Sequence, residues 1–354
     1  MASQTERWSG CILGLALGDA LGAPVEGKSP AACTEYVQEK LGGSQRSGPG
    51  RSGAERSGAG AGSVSSPVFG QYTDDTQLAR ELLLSYAERG RFDPAHYAQR
   101  IGALFGAGAV VGAGRMTEEV GLRLHAGVPW EQAGLPVPAA GNSAAVRAAP
   151  LGLLFGDDVE GLIRAAREQA RITNYDPRCA AGAAAVAGAV ALLLQKGERG
   201  EPLRVEPFLA ELAEWVRRLD QSLAFDVYQL SSWGSLSPEA AATFLVKAGL
   251  CPGHEGEWAG VSSYVLPSVL WSLYSFLRSS EDVREVLRCA IAVGGDVDTT
   301  AAMAGAMLGA YHGRGALPPE WTALLNDQGR FGEAELVELT ERCYELRHGR
   351  GPGR

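Results

Sequence analysis

The chain has 354 residues, 45% of them hydrophobic, with a formal charge of −9 and a pI of about 5.2. This length and apolar content suffice for a large buried core, and no linker separates two such cores, so one domain is expected over 1–346. The acidic balance argues against nonspecific nucleic-acid or membrane binding, but not against an anionic ligand held locally by cations and helix N-termini.

Six cysteines, Cys11, Cys33, Cys179, Cys251, Cys289 and Cys343, are scattered without CxxC spacing. They read as thiols in a reducing, cytoplasmic setting rather than as a disulfide framework or a zinc site. Residues 10–18 have the apolar length of a short signal core, but Glu6 and Arg7 cancel and Asp19 follows at once, so a buried helix is expected and no membrane span. Gly10, Gly14, Gly18 and Gly22 make a stripe without side chains, and Gly305, Gly309 and Gly313 repeat the spacing. Two helices in close approach near the centre would explain both. Asp19 reads as a brace for a neighbouring loop, and Glu26 follows Pro24 in a loop.

Residues 42–66 form a Gly/Ser/Arg insert whose composition cannot build a core, and it is expected to be flexible. Its Arg46, Arg51 and Arg56 read as solubilising charges. Then comes Tyr72-Thr73-Asp74-Asp75-Thr76, a knot of carboxylates and hydroxyls opening a helix over 76–89 that buries Leu78, Leu82, Leu83 and Tyr86. One or two helices over 94–127 break near Gly112-Ala113-Gly114, which reads either as a close approach to the ligand or as a plain turn. Gly141-Asn142-Ser143 opens an Ala-rich helix to Phe155, a start that suits either a plain cap or an anion or ribose site. Asp157-Asp158 reads as a cap for an amphipathic helix over 157–171 with a basic outer face. Residues 179–194 are nearly all Ala, Gly, Val and Leu and must be buried.

A helix over 207–219 packs Trp215, and 220–261 is expected to be irregular apart from a short helix at 238–249. Core helices are expected over 262–277 and 281–293. The second delivers Gly294-Gly295-Asp296-Val297-Asp298-Thr299, another acidic knot at a helix start. The tail 347–354 is expected to be disordered. Apolar residues recur at helical spacing and few stretches alternate, so the class is all-α.

Asp and Thr at a helix start are ordinary caps, but Asp298 or Thr299 alone would cap the second helix, which leaves Asp296 surplus. If the two knots meet, four carboxylates face one point, and something positive must sit between them. Oxygen-only ligands favour magnesium, manganese or calcium over zinc.

In chain order, Gly18-Asp19-Ala20-Leu21-Gly22-Ala23-Pro24-Val25-Glu26, Gly70 to Gln77, Gly141 to Leu151, Thr173-Asn174 before Asp176-Pro177-Arg178, and Gly294 to Thr299 resemble the ADP-ribosylhydrolases (ADP-ribosylglycohydrolases), magnesium-dependent all-helical enzymes. The resemblance implies a compact single-domain orthogonal helical bundle that hydrolyses the bond between ADP-ribose and an acceptor, with an ADP-ribosylated protein or related conjugate as substrate and neither nucleic acid nor membrane required. It implies two Mg2+ ions, with Mn2+ as the alternative, held by Thr73, Asp74, Asp75, Asp296, Asp298 and Thr299. Glu26 would lie on a flap beside them. Asp75, with Glu26 as second choice, would activate water, and Gly141, Asn142, Ser143 and Asn174 would contact the ribose or diphosphate. Two positions depart from the family pattern: Val297 stands where Thr is usual and Asn174 where His is frequent. Asn174 can hydrogen-bond but not ionise, so a weak or inactive ADP-ribose-binding module is the alternative.

Overall fold

A computed structural model describes residues 2–41, 70–250 and 258–349. The insert 42–66 and residues 350–354 of the tail lie outside the described residues. Among the described residues the chain is built from helices, with isolated β-bridges but no sheet.

The centre is the antiparallel pair Gln4–Gly22 and Val297–His312. The glycine stripe makes this contact. A Cβ added at Gly14 would lie 2.1 Å from Gly305 O, and one at Gly309 would lie 1.8 Å from Gly10 O, so the two backbones touch. Glycine is less suited than Ala to a helix interior by about 1 kcal/mol, and here it is required because no side chain fits. Gly313 ends the second helix at φ +85° rather than continuing the stripe. At the other end of the pair, a Cβ on Gly22 would lie 2.4 Å from Asp298 Cα, so the same close packing sets the height of Asp298.

Helix Pro177–Arg199, Ala-rich and buried along most of its length, packs against this pair and against helix Val159–Thr173. Two helices, Gln4–Val25 and Pro177–Arg199, are long and apolar enough to cross a membrane, but 89% of each apolar window is buried inside the protein, as expected of core helices. Helix Asp74–Arg89 buries Leu78, Leu82, Leu83 and Tyr86.

Several boundaries differ from the sequence expectations. The helix expected from Ser143 to Phe155 is two pieces, Ser143–Val146 and Ala149–Leu154. Pro150 has no N–H for Val146 O, and its ring would strike that carbonyl, so the helix restarts just before it. Within 220–261 a regular helix, Gln221–Trp233, buries Leu223, Ala224, Val227 and Leu230. Asp220 caps it by accepting from Leu223 N at 2.8 Å. Asp158 caps its helix through Gly161 N, but Asp157 instead pairs with Arg347. The tail therefore begins later than 347: Arg347 ends helix Glu333–Arg347 and donates to Leu154 O at 2.7 Å, and the His348 ring packs edge-on to Trp8.

Candidate metal centre and substrate cleft

Asp19, with Thr73 as the cap, frees Asp74 and Asp75 from capping. Its carboxylate accepts from Thr73 N and Thr76 N at 3.0 Å and from Thr76 Oγ1 at 2.6 Å, closing the start of helix Asp74–Arg89 from below. Asp74 and Asp75 are left to face a cleft. In the second knot Asp296 occupies the cap position without capping. Its carboxylate turns away and accepts from Asn142 Nδ2 at 2.9 Å, which accounts for the surplus residue. Thr299 Oγ1 donates to Asp75 Oδ2 at 2.8 Å and ties the two helix starts together.

The two glycines before Asp296 hold the loop that carries Glu26. Gly294 and Gly295 have φ of +74° and +88°. Gly27 N donates to Gly295 O at 2.8 Å, Gly295 N to Lys28 O at 3.0 Å, and Asp296 N to Val261 O at 2.8 Å. A Cβ on Gly295 would lie 2.0 Å from Val261 O, so neither the dihedral nor the space admits a side chain. Carboxylate oxygens of Glu26, Asp296 and Asp298 thereby come within 4.8 Å of one another. Thr73, Asp74, Asp75, Asp296, Asp298 and Thr299 are all buried, whereas Glu26 is exposed at the rim.

Burial, followed by the negative charges of neighbouring carboxylates, raises Asp74, Asp75, Asp298 and Glu26. Asp74 is pushed up to about 8. Asp75 and Asp298 are pushed well above the usual carboxylate range. Glu26 rises to about 7, from lost hydration and then Asp296 and Asp19, although the residue as a whole stays exposed. Asp19 rises to about 6 against the opposing pull of its threonine donors. The charges acting on Asp74, Asp75 and Asp298 are all other carboxylates. Such a group must take up protons or a cation. An all-oxygen donor set without His or Cys fits a hard divalent ion.

The cleft has a volume of about 360 Å³ and includes every expected site residue except Thr73, which caps beneath Asp75. Gly141, Ser143 and Asn174 line its far wall. Asn142 lines it too, but both its amide hydrogens are engaged, one to Ser268 Oγ and one to Asp296 Oδ2, each at 2.9 Å. Its visible work is to orient Asp296, and its N–H is taken by Ser263 O at 3.0 Å, so the open helix start expected there is partly closed. Asn174 donates to Ala139 O at 2.9 Å.

Some residues escaped notice in the sequence. Gly112 and Gly114 line the cleft, and their loop is pinned to the acidic helix: Asp74 N donates to Val111 O at 2.8 Å and Val111 N to Gln77 Oε1 at 3.0 Å. The paired glycines signalled an approach there without deciding it. Arg147 is fully buried and donates to Ser143 Oγ, Gln169 and Thr173 Oγ1, joining two walls of the cleft. Only its place in the Gly141–Leu151 motif marked it. Arg115, Met116, Trp258 and Ser263 also line the cleft and carried no signal in the sequence.

Two helix starts thus converge on a nest of carboxylates, a donor set that fits a hard divalent ion. The family model for ADP-ribosylglycohydrolases matches residues 1–353, and the chain belongs to that family; it is a glycosidic-bond hydrolase by class. It is 30% identical to an uncharacterized protein of Archaeoglobus fulgidus over 96% of this chain and 97% of that protein. It is 28% identical to ADP-ribosylhydrolase ARH3 of Gallus gallus, over 96% and 93% of the two chains. It is 26% identical to ADP-ribosylarginine hydrolase Tri1 of Pseudomonas putida, over 89% and 73%. A solved structure titled "ADP-ribosylglycohydrolase-related protein complex" superposes with a TM-score of 0.69 at 28% identity, covering 97% of this chain and 99% of that one.

Proposed function

We propose that this protein is a magnesium-dependent hydrolase that cleaves the glycosidic bond between ADP-ribose and an acceptor and releases ADP-ribose. The observation that carries it is the convergence of Asp74, Asp75, Asp296, Asp298 and Glu26 on one cleft, with Thr299 bridging the two helix starts. Asp74, Asp75, Asp296, Asp298, Thr299 and Thr73 are the residues that would hold two ions, with Glu26 beside one of them. Bound divalent ions would supply the positive charge that anchors ribose hydroxyls and acidifies water.

The protein's own groups do the rest. Glycosidic cleavage builds oxocarbenium character at the anomeric carbon, which the surrounding carboxylates favour. Water adds to that carbon as its bond to the acceptor breaks; one water proton passes to a carboxylate and from the carboxyl groups of the nest an equivalent proton goes to the departing acceptor, so that protons balance. Asp75, oriented by the Thr299 hydroxyl, is the first choice for that carboxylate and Glu26 the second. Ser143, Gly141 and Asn174 bound the space left for the ribose and diphosphate. A second function, ADP-ribose binding without turnover, is favoured by Asn174, a neutral side chain already engaged with Ala139 O.

The test is release of free ADP-ribose from arginine-linked, serine-linked, O-acetyl and polymeric conjugates, with magnesium and with EDTA, for the wild type and Asp298→Ala. Magnesium-dependent release from one linkage, lost in the variant, is expected. No release from any of them, with ADP-ribose still bound tightly, would replace hydrolysis by the binding function.

A further inference from the structure

Helix Val159–Thr173 carries positive charge that the acidic cleft does not use. Arg167 and Arg171 stand one turn apart on its exposed side, a spacing at which like charges repel. Arg218, just beyond helix Val205–Arg217, joins them in lining a second cavity of about 340 Å³. Tyr175 lies within it, and Asn174 is a wall common to this cavity and the acidic cleft.

The charges in this cavity do not cancel. Arg218 pairs with Glu160. The Arg171 guanidinium lies over the Tyr175 ring at 5.7 Å, and among the described residues neither it nor Arg167 has a carboxylate partner. Asp176 is the one acid of the lining, and Arg178 grips both its oxygens, at 2.7 and 2.5 Å. A pocket with surplus guanidinium groups thus stands in a chain of net charge −9. Guanidinium forks match phosphate oxygens in geometry and charge, and a guanidinium stacked on an aromatic face is held ready for them.

We propose that this cavity is an anion site for a phosphate-bearing part of the substrate that extends past Asn174 from the acidic cleft. The proposal rests on the cleft being an ADP-ribosyl hydrolase site. The phosphate is either the diphosphate of the bound ADP-ribosyl group or one belonging to a further unit of a longer conjugate. A cationic group at the same place meets like charge, so the cavity selects among conjugates by charge.

Binding of inorganic pyrophosphate is measured calorimetrically on the full chain in EDTA, which removes any contribution from metal in the cleft. The wild type and Arg167→Ala/Arg171→Ala are compared at low and high salt, with melting temperature as a check on folding and Arg218→Ala as an independent variant. Wild-type binding that weakens with salt and falls roughly tenfold or more in the double variant is expected, the scale of a lost charge-assisted hydrogen bond. Binding equal in all three proteins, or none by the wild type at millimolar pyrophosphate, overturns the proposal. The same variants titrated with ADP-ribose separate the two sources. A parallel fall assigns the cavity to the ligand's own diphosphate, and an unchanged affinity assigns it to a further unit. If the wild type binds pyrophosphate through these arginines yet hydrolyses no conjugate, the anion site stands and the hydrolase function falls.

Discussion

Thr299 Oγ1 donates to Asp75 Oδ2 at 2.8 Å, joining residues 224 positions apart at the starts of two different helices. Neither residue caps its own helix with that group. The bond fixes the separation of the two acidic knots before any ion arrives, and it leaves Asp75 Oδ1 for a ligand.

Thr299→Val keeps the shape of the side chain and removes this donor. Magnesium affinity, read by calorimetry, is expected to fall by roughly tenfold, the scale of one hydrogen bond to a charged group, and Thr299→Ser should restore most of it. Equal affinity in wild type and Thr299→Val would show that the ions alone align the knots.

The raised carboxylates predict how the metal-free protein responds to pH. Asp74, at about 8, and Glu26, at about 7, titrate above their unfolded values of roughly 3.9 and 4.3. Between those limits the folded state holds more protons than the unfolded one, so stability falls as pH rises. In EDTA the melting temperature should drop from pH 5 to pH 8, and saturating magnesium should remove most of that drop by binding the folded state. A metal-free melting temperature that climbs over this range would mean that another group neutralises the nest.

The helix pair beneath the site tolerates no added atom. Gly309→Ala would place a Cβ 1.8 Å from Gly10 O, against backbone that cannot swing aside. Forcing the helices apart should cost about 3 kcal/mol or more and disturb Asp298 at the far end of the same contact. Gly315→Ala, with open space around it, should change stability by less than about 0.5 kcal/mol. Chemical denaturation of both variants measures the contrast, and similar midpoints would count against the close packing.

The stripe and the two acidic knots could be read from the chain because each is a local pattern with one physical purpose. Four-residue glycine spacing has little use except close approach, and Asp296 was surplus to any cap. The role of Asn142 was not readable in this way. Its engagement with Asp296, 154 positions away, depends on which loop the fold brings alongside. Helix Gln221–Trp233 was missed because Ser231, Ser232 and Gly234 at its end outweighed the apolar spacing of Leu223, Val227 and Leu230. The break at Arg147 was missed for the opposite reason, an Ala-rich stretch outweighing the restriction imposed by Pro150.

Arg147 sets two effects against each other. Its guanidinium is fully buried among neutral acceptors: Gln169 Oε1, Gln169 O and Thr173 Oγ1 at 2.9 Å, and Ser143 Oγ at 3.2 Å. Replacing a buried charge by an apolar group can be neutral or stabilising when the charge itself is the burden. Here Arg147→Met would also leave Gln169 Oε1 without its donor, at about 1–3 kcal/mol for a buried group left unpaired, and take one partner each from Gln169 O and Thr173 Oγ1. Four bonds from one side chain make the second effect larger, so Arg147→Met should lower the melting temperature. It should also weaken ADP-ribose binding, because the turn carrying Ser143 and the helix end carrying Asn174 lose their tie. A variant as stable as the wild type with unchanged ADP-ribose affinity would show that the two walls are held by packing alone.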